Sequence, residues 1–324
     1  MKAICVFSGG LDSMLSAQII RSQGIDVIGF FFKTPFFTPE KAIRSAQLIK
    51  LPLKIVDITE EHLRILKNPK YGYGENMNPC IDCHALMFKC AGKIMEQEGA
   101  DFVISGEVLG QRPMSQNRKA LQIIAEESGL RRLLLRPLSA KKLPVTIPEE
   151  RGWVKRELLL DIHGRSRKPQ LELAKKYGII NFPSPAGGCL LTDRTFSKRL
   201  KDLIELKKDF DIRDIELLKL GRHFRIDKTT KVIVGRNKKE NQMLKDLYRK
   251  EDVLLEPKGI PGPVVLLTGD KSEKNIQLAL DITATYSDTK PHQQIEITAH
   301  FPSYTKVLKG KAHEKRVFHG LLIN

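Results

Sequence analysis

Lys2-Ala3-Ile4-Cys5-Val6-Phe7-Ser8-Gly9-Gly10-Leu11-Asp12-Ser13 is the stretch on which the fold turns. Lys2–Phe7 reads as an apolar strand, and Leu11–Ser22 as a helix that follows it directly. Between them, two glycines let the backbone approach an anion without a Cβ in the way. Serine hydroxyls and the free N–H groups of the helix start supply donors, and the helix dipole favours negative charge there. Ser8, Gly9, Gly10, Asp12 and Ser13 are therefore a candidate phosphate cradle, with Asp12 placed to help hold Mg²⁺ against the phosphates. A plain Gly-Gly turn capped by Asp12 or Ser13 is the competing reading; the strand–loop–helix order favours the cradle.

Working outward, strands and helices alternate. Val27–Phe32 reads as a strand, Pro39–Lys50 as a helix with Thr38 as N-cap, and Leu53–Ile58 as a third strand. Cys80–Gly99 reads as a helix, followed by strands at Phe102–Ser105 and Leu133–Arg136. Such alternation with short connections implies an α/β fold with a doubly wound parallel sheet, whose ligands sit beyond the carboxyl ends of the strands. Residues 141–194 are rich in proline and basic residues, with one helical pattern around Gln170–Tyr177, and read as an elaborated loop region on the same domain. A boundary near residue 200 is expected, giving a sheet domain over 1–194 and a smaller α+β domain over 200–324. In the latter, Phe196–Leu220 reads as helical, His223–Ile226 and Val232–Val234 as strands, Lys239–Arg249 as a helix and Val264–Leu267 as a strand.

The loop differs from the Gly-x-x-x-x-Gly-Lys-Ser/Thr loop of kinases and GTPases, because no lysine within it reaches over the phosphates. Ser-Gly-Gly-x-Asp-Ser instead resembles the PP-loop signature of the ATP pyrophosphatases. That resemblance implies ATP as cosubstrate, cleavage between the α- and β-phosphates, and adenylation of a carbonyl oxygen with release of pyrophosphate. Ile104–Gln111, followed by Ser115-Gln116, resembles the second nucleotide-side motif of the 4-thiouridine synthetases. By that resemblance Gly106, Glu107 and Gln111 lie near the phosphates and the activated base, and Phe32, within Phe30–Lys33, flanks the adenosine. Asp12 is then catalytic as well as metal-holding.

Asn78-Pro79-Cys80-Ile81-Asp82-Cys83 precedes or opens a helix, and Cys189 follows 106 residues later in a Gly187-Gly188-Cys189 turn. Cys-x-x-Cys places two thiols on one side of a turn, near enough to share a metal or to join as a disulfide. A structural zinc site completed by His84 or Cys90, haem attachment at Cys80-x-x-Cys83-His84, and a redox pair carrying a persulfide are all compatible with the spacing. The leading reading is a [4Fe–4S] cluster on Cys80, Cys83 and Cys189, with one iron left open. This pattern resembles the iron–sulfur-dependent tRNA-thiolation enzymes, and Asn-Pro-Cys-x-x-Cys also resembles the 2-thiouridine synthases, which use two cysteines and no cluster. Either way Cys80 and Cys189 take part in the sulfur chemistry. Cys5 reads as core.

Charge is unevenly placed. The formal net charge is +17, yet residues 1–130 carry 15 basic against 14 acidic side chains, residues 131–194 carry 14 against 6, and residues 195–324 carry 26 against 18. A positive surface attracts polyphosphate through counterion release; a solvated lysine-rich surface of a heat-adapted protein is the alternative. Residues 215–270, with Val234-Gly235-Arg236-Asn237, Asn241, Asp252-Val253 and Gly259–Gly262, resemble the RNA-binding domain of the NFACT proteins, and Lys238 and Lys239 suit phosphate contacts. No apolar run reaches the ~20 residues of a membrane span, and the N-terminus lacks a signal peptide's apolar stretch, so a cytoplasmic protein is expected. The combined expectation is ATP-dependent thiolation of a tRNA uridine, with 4-thiouridine as the preferred product. The sulfur would come from free sulfide or from a cysteine desulfurase or carrier. Sulfur transfer to a small molecule, and a non-catalytic nucleotide-regulated RNA-binding factor, are the alternatives.

Overall fold

The computed structural model describes residues 1–182, 189–207 and 209–323. The turn residues Gly187 and Gly188 lie outside the described residues. The chain divides into two compact units, Met1–Thr192 and Asp193–Asn324.

The first unit contains, in order, β1 (Lys2–Val6), α1 (Leu11–Arg21), β2 (Asp26–Lys33), α2 (Glu40–Leu48), β3 (Leu53–Asp57), α3 (Thr59–Lys67), α4 (Cys80–Gln97), β4 (Phe102–Ser105), α5 (Arg118–Glu127), β5 (Leu134–Leu135), α6 (Ile147–Glu150) and α7 (Lys168–Lys176). Its five strands run β3-β2-β1-β4-β5, all parallel. The chain turns outward from β1 in both directions, so the order reverses between β1 and β4. In open sheets of this kind the ligand crevice lies at that reversal.

The central strands β1 and β4 bury residues on both faces because helices cover both, while the edge strand β3 is largely exposed. Ala3, Cys5 and Phe7 point into one cluster with Leu11, Met14, Leu15 and Ala174. Ile4, Phe30, Phe32 and Val103 point into the other, with Phe88, Ala91 and Ile124. The full burial of Ala3, Ile4 and Cys5 in the middle of β1 explains the apolar run there. Three helices were not foreseen: α3, which starts two residues beyond β3, α5, and the short α6. The cap of α2 also differs from expectation. Pro39 occupies the N-cap position without a side-chain cap, while Thr38 bonds the Glu40 carboxylate instead.

The second unit comprises α8 (Arg194–Leu206), α9 (Ile212–Leu218), β6 (Arg222–Arg225), β7 (Lys231–Val234), α10 (Lys238–Asp246), β8 (Val253–Pro257), β9 (Val265–Thr268), α11 (Glu273–Tyr286), β10 (Gln294–His300) and β11 (Thr305–Lys311). The helical pattern over Phe196–Leu220 is thus two helices, with Asp211 capping the second through the Asp214 N–H. The six strands form an antiparallel sheet ordered β11-β10-β8-β9-β7-β6. One apolar layer joins Val232, Val234, Val265 and Ile297 to α11. Another joins Ile233, Leu254 and Leu266 to Leu217 and Leu244 of α9 and α10. Gly310 on β11 has no Cβ to collide with the Leu280 carbonyl, which lets α11 press onto the β10–β11 hairpin.

Each unit has its own sheet and core. Residues 193–324 expressed alone are therefore expected to unfold in one cooperative thermal transition and to give dispersed amide resonances. The spectrum of a disordered chain would contradict this.

Candidate functional site

The loop after β1 is held open by contacts only glycine permits. Gly9 has φ +73°, and a Cβ there would stand 2.5 Å from Ala42 Cα on α2. Ser45 Oγ ties α2 to the loop by donating to the Gly9 carbonyl at 2.7 Å. Inside the loop, the Gly10 N–H donates to Ser8 Oγ at 3.3 Å and Ser13 Oγ donates to the Gly10 carbonyl at 2.8 Å. No side chain caps α1, so its first-turn N–H groups face the loop mouth uncapped.

The end of β4 closes the crevice from the other side. A Cβ on Gly106 would lie 2.5 Å from the Ser13 nitrogen, so the residue after β4 touches the first turn of α1 backbone to backbone. Gln111 Nε2 donates to Asp12 Oδ2 at 3.0 Å, while Asp12 Oδ1 is buried without a partner. Burial raises the Asp12 carboxyl, opposed by the Gln111 hydrogen bond and by the charges of Arg167 and Arg112. An orphaned carboxylate oxygen beside a phosphate-type loop fits a Mg²⁺ ligand.

Glu107 is engaged elsewhere. Its Oε2 accepts from Arg136 Nε at 2.8 Å and its Oε1 meets His84 Nδ1 at 2.8 Å, with Glu107 and Arg136 buried and His84 half-buried. Burial alone would raise this carboxyl, but Arg136 and then His84 outweigh it and hold it at about 2. The folded value lies below the unfolded one, so the stability it contributes is present above the ordinary carboxylate range and is lost as pH falls towards 2. Phe32 is 3% exposed and packs with Ile4, Phe30 and Phe88 beneath the strand end. Lys33 faces solvent and pairs with Asp57.

The thiols belong to α4 and to the turn at Cys189. Cys80 is the first residue of α4, and Cys83 is one turn on. Each of the three sulfurs meets a nitrogen. Asn78 Nδ2 donates to Cys80 at 3.1 Å, His62 Nε2 stands 3.2 Å from Cys83, and the Leu191 N–H donates to Cys189 at 3.4 Å. The Cys189 turn is tied back to the loop before Cys80, because Asn76 Nδ2 donates to the Thr192 carbonyl at 3.0 Å. Burial pushes the Cys83 thiol well up, and the charges of Cys189 and Cys80 add to it. Burial likewise pushes Cys189 up to about 12, with Cys80 adding and Arg112 opposing. The three sulfurs are therefore electrostatic neighbours. All five cysteines are free, and among the described residues no three His, Cys, Asp or Glu side chains already stand as a metal site. Cys5 is fully buried in β1, and Cys90 packs on the α4 side of the core.

One loop joins the two halves. Between Gly106 and Gln116 it touches Ser13 through Gly106, holds Asp12 through Gln111, and meets Asn78, the donor to Cys80, through Met114 at 3.6 Å. Arg112, in the middle of that loop, acts electrostatically on both Asp12 and Cys189. Arg112, Arg167, Lys41, Gln170 and His62 carry no sequence motif; only the packing of distant segments brings them here.

In the second unit, Arg236 faces Glu240 with Nε 3.0 Å from either oxygen, and Asn237 caps α10. Asn241 Oδ1 accepts from the Val264 N–H at 3.1 Å. Much of the Val-Gly-Arg-Asn pattern therefore builds the turn, while Lys238 and Lys239 stay exposed. Lys238, Gln242 and Lys245 border an open cleft of about 380 Å³ with Ile260–Val264.

Two family models match the chain. The one described as thiamine biosynthesis protein (ThiI) matches residues 1–143, and the one described as NFACT protein RNA binding domain matches residues 221–316. The chain is similar to the tRNA-specific 2-thiouridylase MnmA of Listeria monocytogenes serotype 4b (strain CLIP80459), at 22% identity over 90% of this chain and 83% of the relative. It is also similar to that of Francisella tularensis subsp. holarctica (strain LVS), at 25% identity over 68% of this chain and 63% of the relative. Among solved structures, a 4-thiouridine synthetase–RNA complex with bound ATP is 21% identical, with a TM-score of 0.38, covering 67% of this chain and 52% of that one. A predicted tRNA methyltransferase subunit from Methanocaldococcus jannaschii DSM is 14% identical, with a TM-score of 0.36, covering 54% and 76%. Both resemblances read from the sequence, to PP-loop tRNA-thiolation proteins and to the NFACT domain, are met by the family-model and relative matches. No helix among the described residues is long and apolar enough to cross a membrane.

Two outcomes are expected. Glu107→Gln leaves the Arg136 guanidinium buried with its countercharge gone, costing about 3 kcal/mol; thermal unfolding then falls by roughly 6 °C. An unchanged midpoint would show that the pair is not holding the loop. In the metal-free chain at pH 7.5, Cys83 and Cys189 are alkylated by iodoacetamide about a hundredfold more slowly than free cysteine, because the thiolate is the reacting form. Peptide mass spectrometry measures both rates, and rates equal to that of free cysteine would contradict their burial.

Proposed function

We propose that this chain is an ATP-dependent tRNA sulfurtransferase that converts a uridine of tRNA to thiouridine. The observation that carries the reading is the 106–116 loop, which contacts the phosphate-type loop at Ser13 and Asp12 and the thiol-bearing segment at Asn78. A nucleotide-activated oxygen and a sulfur source would thus share one mouth. The matches to ThiI and MnmA support the same chemistry.

ATP binds with its phosphates against Ser8–Ser13 and Mg²⁺ on Asp12 Oδ1. The target uridine is turned out of its stack, since its carbonyl is otherwise out of reach. The carbonyl oxygen attacks the α-phosphorus. One P–O bond forms, the bond to the bridging oxygen breaks, and pyrophosphate leaves. Loop N–H groups stabilise the charge that develops. Hydrosulfide then adds at the activated carbon, AMP departs with the C–O electron pair, and a proton is lost; no net oxidation occurs. The 4-oxo group is the favoured target, from the likeness of Gly106–Gln116 to the 4-thiouridine synthetases. The 2-oxo group is the rival, from MnmA.

The cofactor proposed at Cys80, Cys83 and Cys189 is a [4Fe–4S] cluster. A nitrogen beside each sulfur suits thiolate ligands, and when bound the cluster would offer an iron with no protein ligand, able to hold hydrosulfide. In the competing arrangement Cys189 carries a persulfide and Cys80 resolves it, leaving a disulfide that a reductant must reopen. The second unit holds tRNA through its basic surface, consistent with its match to an RNA-binding domain. The proposed setting is the cytoplasm, and the sulfur donor is free sulfide or a desulfurase-fed carrier.

The test is anaerobic purification with iron and sulfide analysis, followed by incubation with tRNA and ATP. Bound iron, AMP release that requires tRNA, and a thiolated nucleoside in the digest are expected. Cys189→Ala should still release pyrophosphate in the presence of tRNA while thiouridine falls by at least about a hundredfold. Native thiouridine yield from that variant would overturn the sulfur half of the proposal, and absence of tRNA-dependent pyrophosphate release by the parent protein would overturn the activation half.

A further inference from the structure

The turn between β10 and β11 holds an aromatic pair at the edge of the second unit's sheet. Phe301-Pro302-Ser303-Tyr304 continues the ladder of the two strands, with the Phe301 N–H donating to the Tyr304 carbonyl at 2.8 Å. The two rings lie nearly parallel, their centroids 4.6 Å apart and their planes 17° off. Phe301 is half-buried against the apolar layer beneath α11, whereas Tyr304 is 56% exposed. Phe301 covers one face of the tyrosine, so the exposed surface includes the other. Burying that second face would favour folding, and the turn leaves it out. A flat ring held on a fixed support has little rotamer freedom left to lose when something stacks on it.

The strand that leaves this turn is basic. β11 carries Lys306, Lys309 and Lys311 and no acidic residue. Side chains alternate along a strand, so Tyr304 and Lys306 project from the same face, about 7 Å apart. The register shows why the three ammonium groups are free. Glu296 stands opposite Lys309, but its carboxylate pairs with Lys258 at 3.1 Å. Ala299 and Gln294, opposite Lys306 and Lys311, carry no charge. Among the described residues none of these three lysines makes an ion pair. β11 is the last strand of its sheet, so no further strand walls off the approach. An open aromatic face and unneutralised cations thus adjoin on one edge.

We propose that Tyr304 is a stacking platform for an unpaired nucleobase of RNA, with Lys306 on the adjoining phosphate and Lys309 and Lys311 adding attraction along the strand. Any base can stack on an aromatic face, but a base paired inside a helix cannot reach one. The ammonium groups supply the attraction that is indifferent to sequence. The occupant is therefore a single-stranded segment, a choice that a basic surface alone would not make. This rests on the RNA-holding part of the function proposed above and specifies the kind of segment held; it can fail while that part stands.

The experiment is titration of the full chain, followed by fluorescence anisotropy, with a short labelled RNA as a single strand and as a duplex of the same length. Tyr304→Ala should weaken single-strand binding about tenfold and duplex binding less than about twofold. Tyr304→Phe and Tyr304→Trp keep a flat ring and should stay within about twofold of the parent, which covers the case in which alanine disturbs the turn. Lys306→Gln should flatten the dependence of log affinity on log salt by roughly 0.7 for the single strand. A 2-aminopurine placed in the strand should lose fluorescence on binding the parent and Tyr304→Phe but keep it with Tyr304→Ala, a signature that a structural role would not produce. With whole tRNA the alanine penalty should recur. If trimming the unpaired 3′ nucleotides abolishes it, the stacked base comes from that end; if it survives trimming, the base comes from a loop. Equal losses for single strand and duplex, an unquenched base in the parent complex, or no penalty on intact tRNA would overturn the platform and leave RNA binding in place. A chain that binds neither form of RNA would overturn both the platform and the tRNA-holding reading.

Discussion

The N-terminal unit depends on how closely the end of β4 is allowed to approach the first turn of α1. At the point where the sheet order reverses, Gly106 lies against the Ser13 amide with no room for a methyl group. That approach brings the β4 loop over the start of α1, where Gln111 can take hold of Asp12. The opposite wall is set by Gly9, whose left-handed backbone admits α2. Two glycines thus fix the width of the crevice, and the polar side chains are arranged on walls whose spacing is already decided. Glu107 and Arg136 serve this geometry from below, as a buried pair that anchors the loop.

Burial governs the sulfur side in a different way. A thiol deep in an apolar setting keeps its proton, and Cys83 and Cys189 both do so in the bare protein. A nitrogen beside each sulfur eases ionisation but does not bring it about at neutral pH. A positive partner is what would turn these thiols into ligands or nucleophiles. Such an arrangement keeps reactive sulfur quiet until its cofactor is in place.

The parts of this picture that local sequence encodes were legible before any coordinates. Lys2–Ser13 announces strand, anion loop and helix because apolar run, paired glycines and helical period fall within a dozen residues. Cys80 and Cys83 are likewise one turn apart on any helix. What resisted reading was of two kinds. Short elements blur into their neighbours: α3 follows β3 almost at once, and it is missed together with α5, α6, β8, β11 and α11, as is β10 despite its alternation over Gln294–His300. Functional side chains contributed singly by remote segments leave no pattern either. Gln170 reaches Gln111 only because α7 and the β4 loop converge on α1. Thr38 shows the opposite failure, a local rule overridden when Pro39 took the cap position.

The lysines of the C-terminal unit have a second role that follows from where they sit. β11 is the last strand of its sheet, so its outer backbone groups have no neighbouring strand, and it carries Lys306, Lys309 and Lys311 with Val307 exposed between them. An uncharged strand in that position would invite a second molecule to pair with it and start an aggregate; closely spaced ammonium groups repel such a copy while still welcoming a polyanion. The charge proposed to draw nucleic acid to this domain also keeps its sheet from growing.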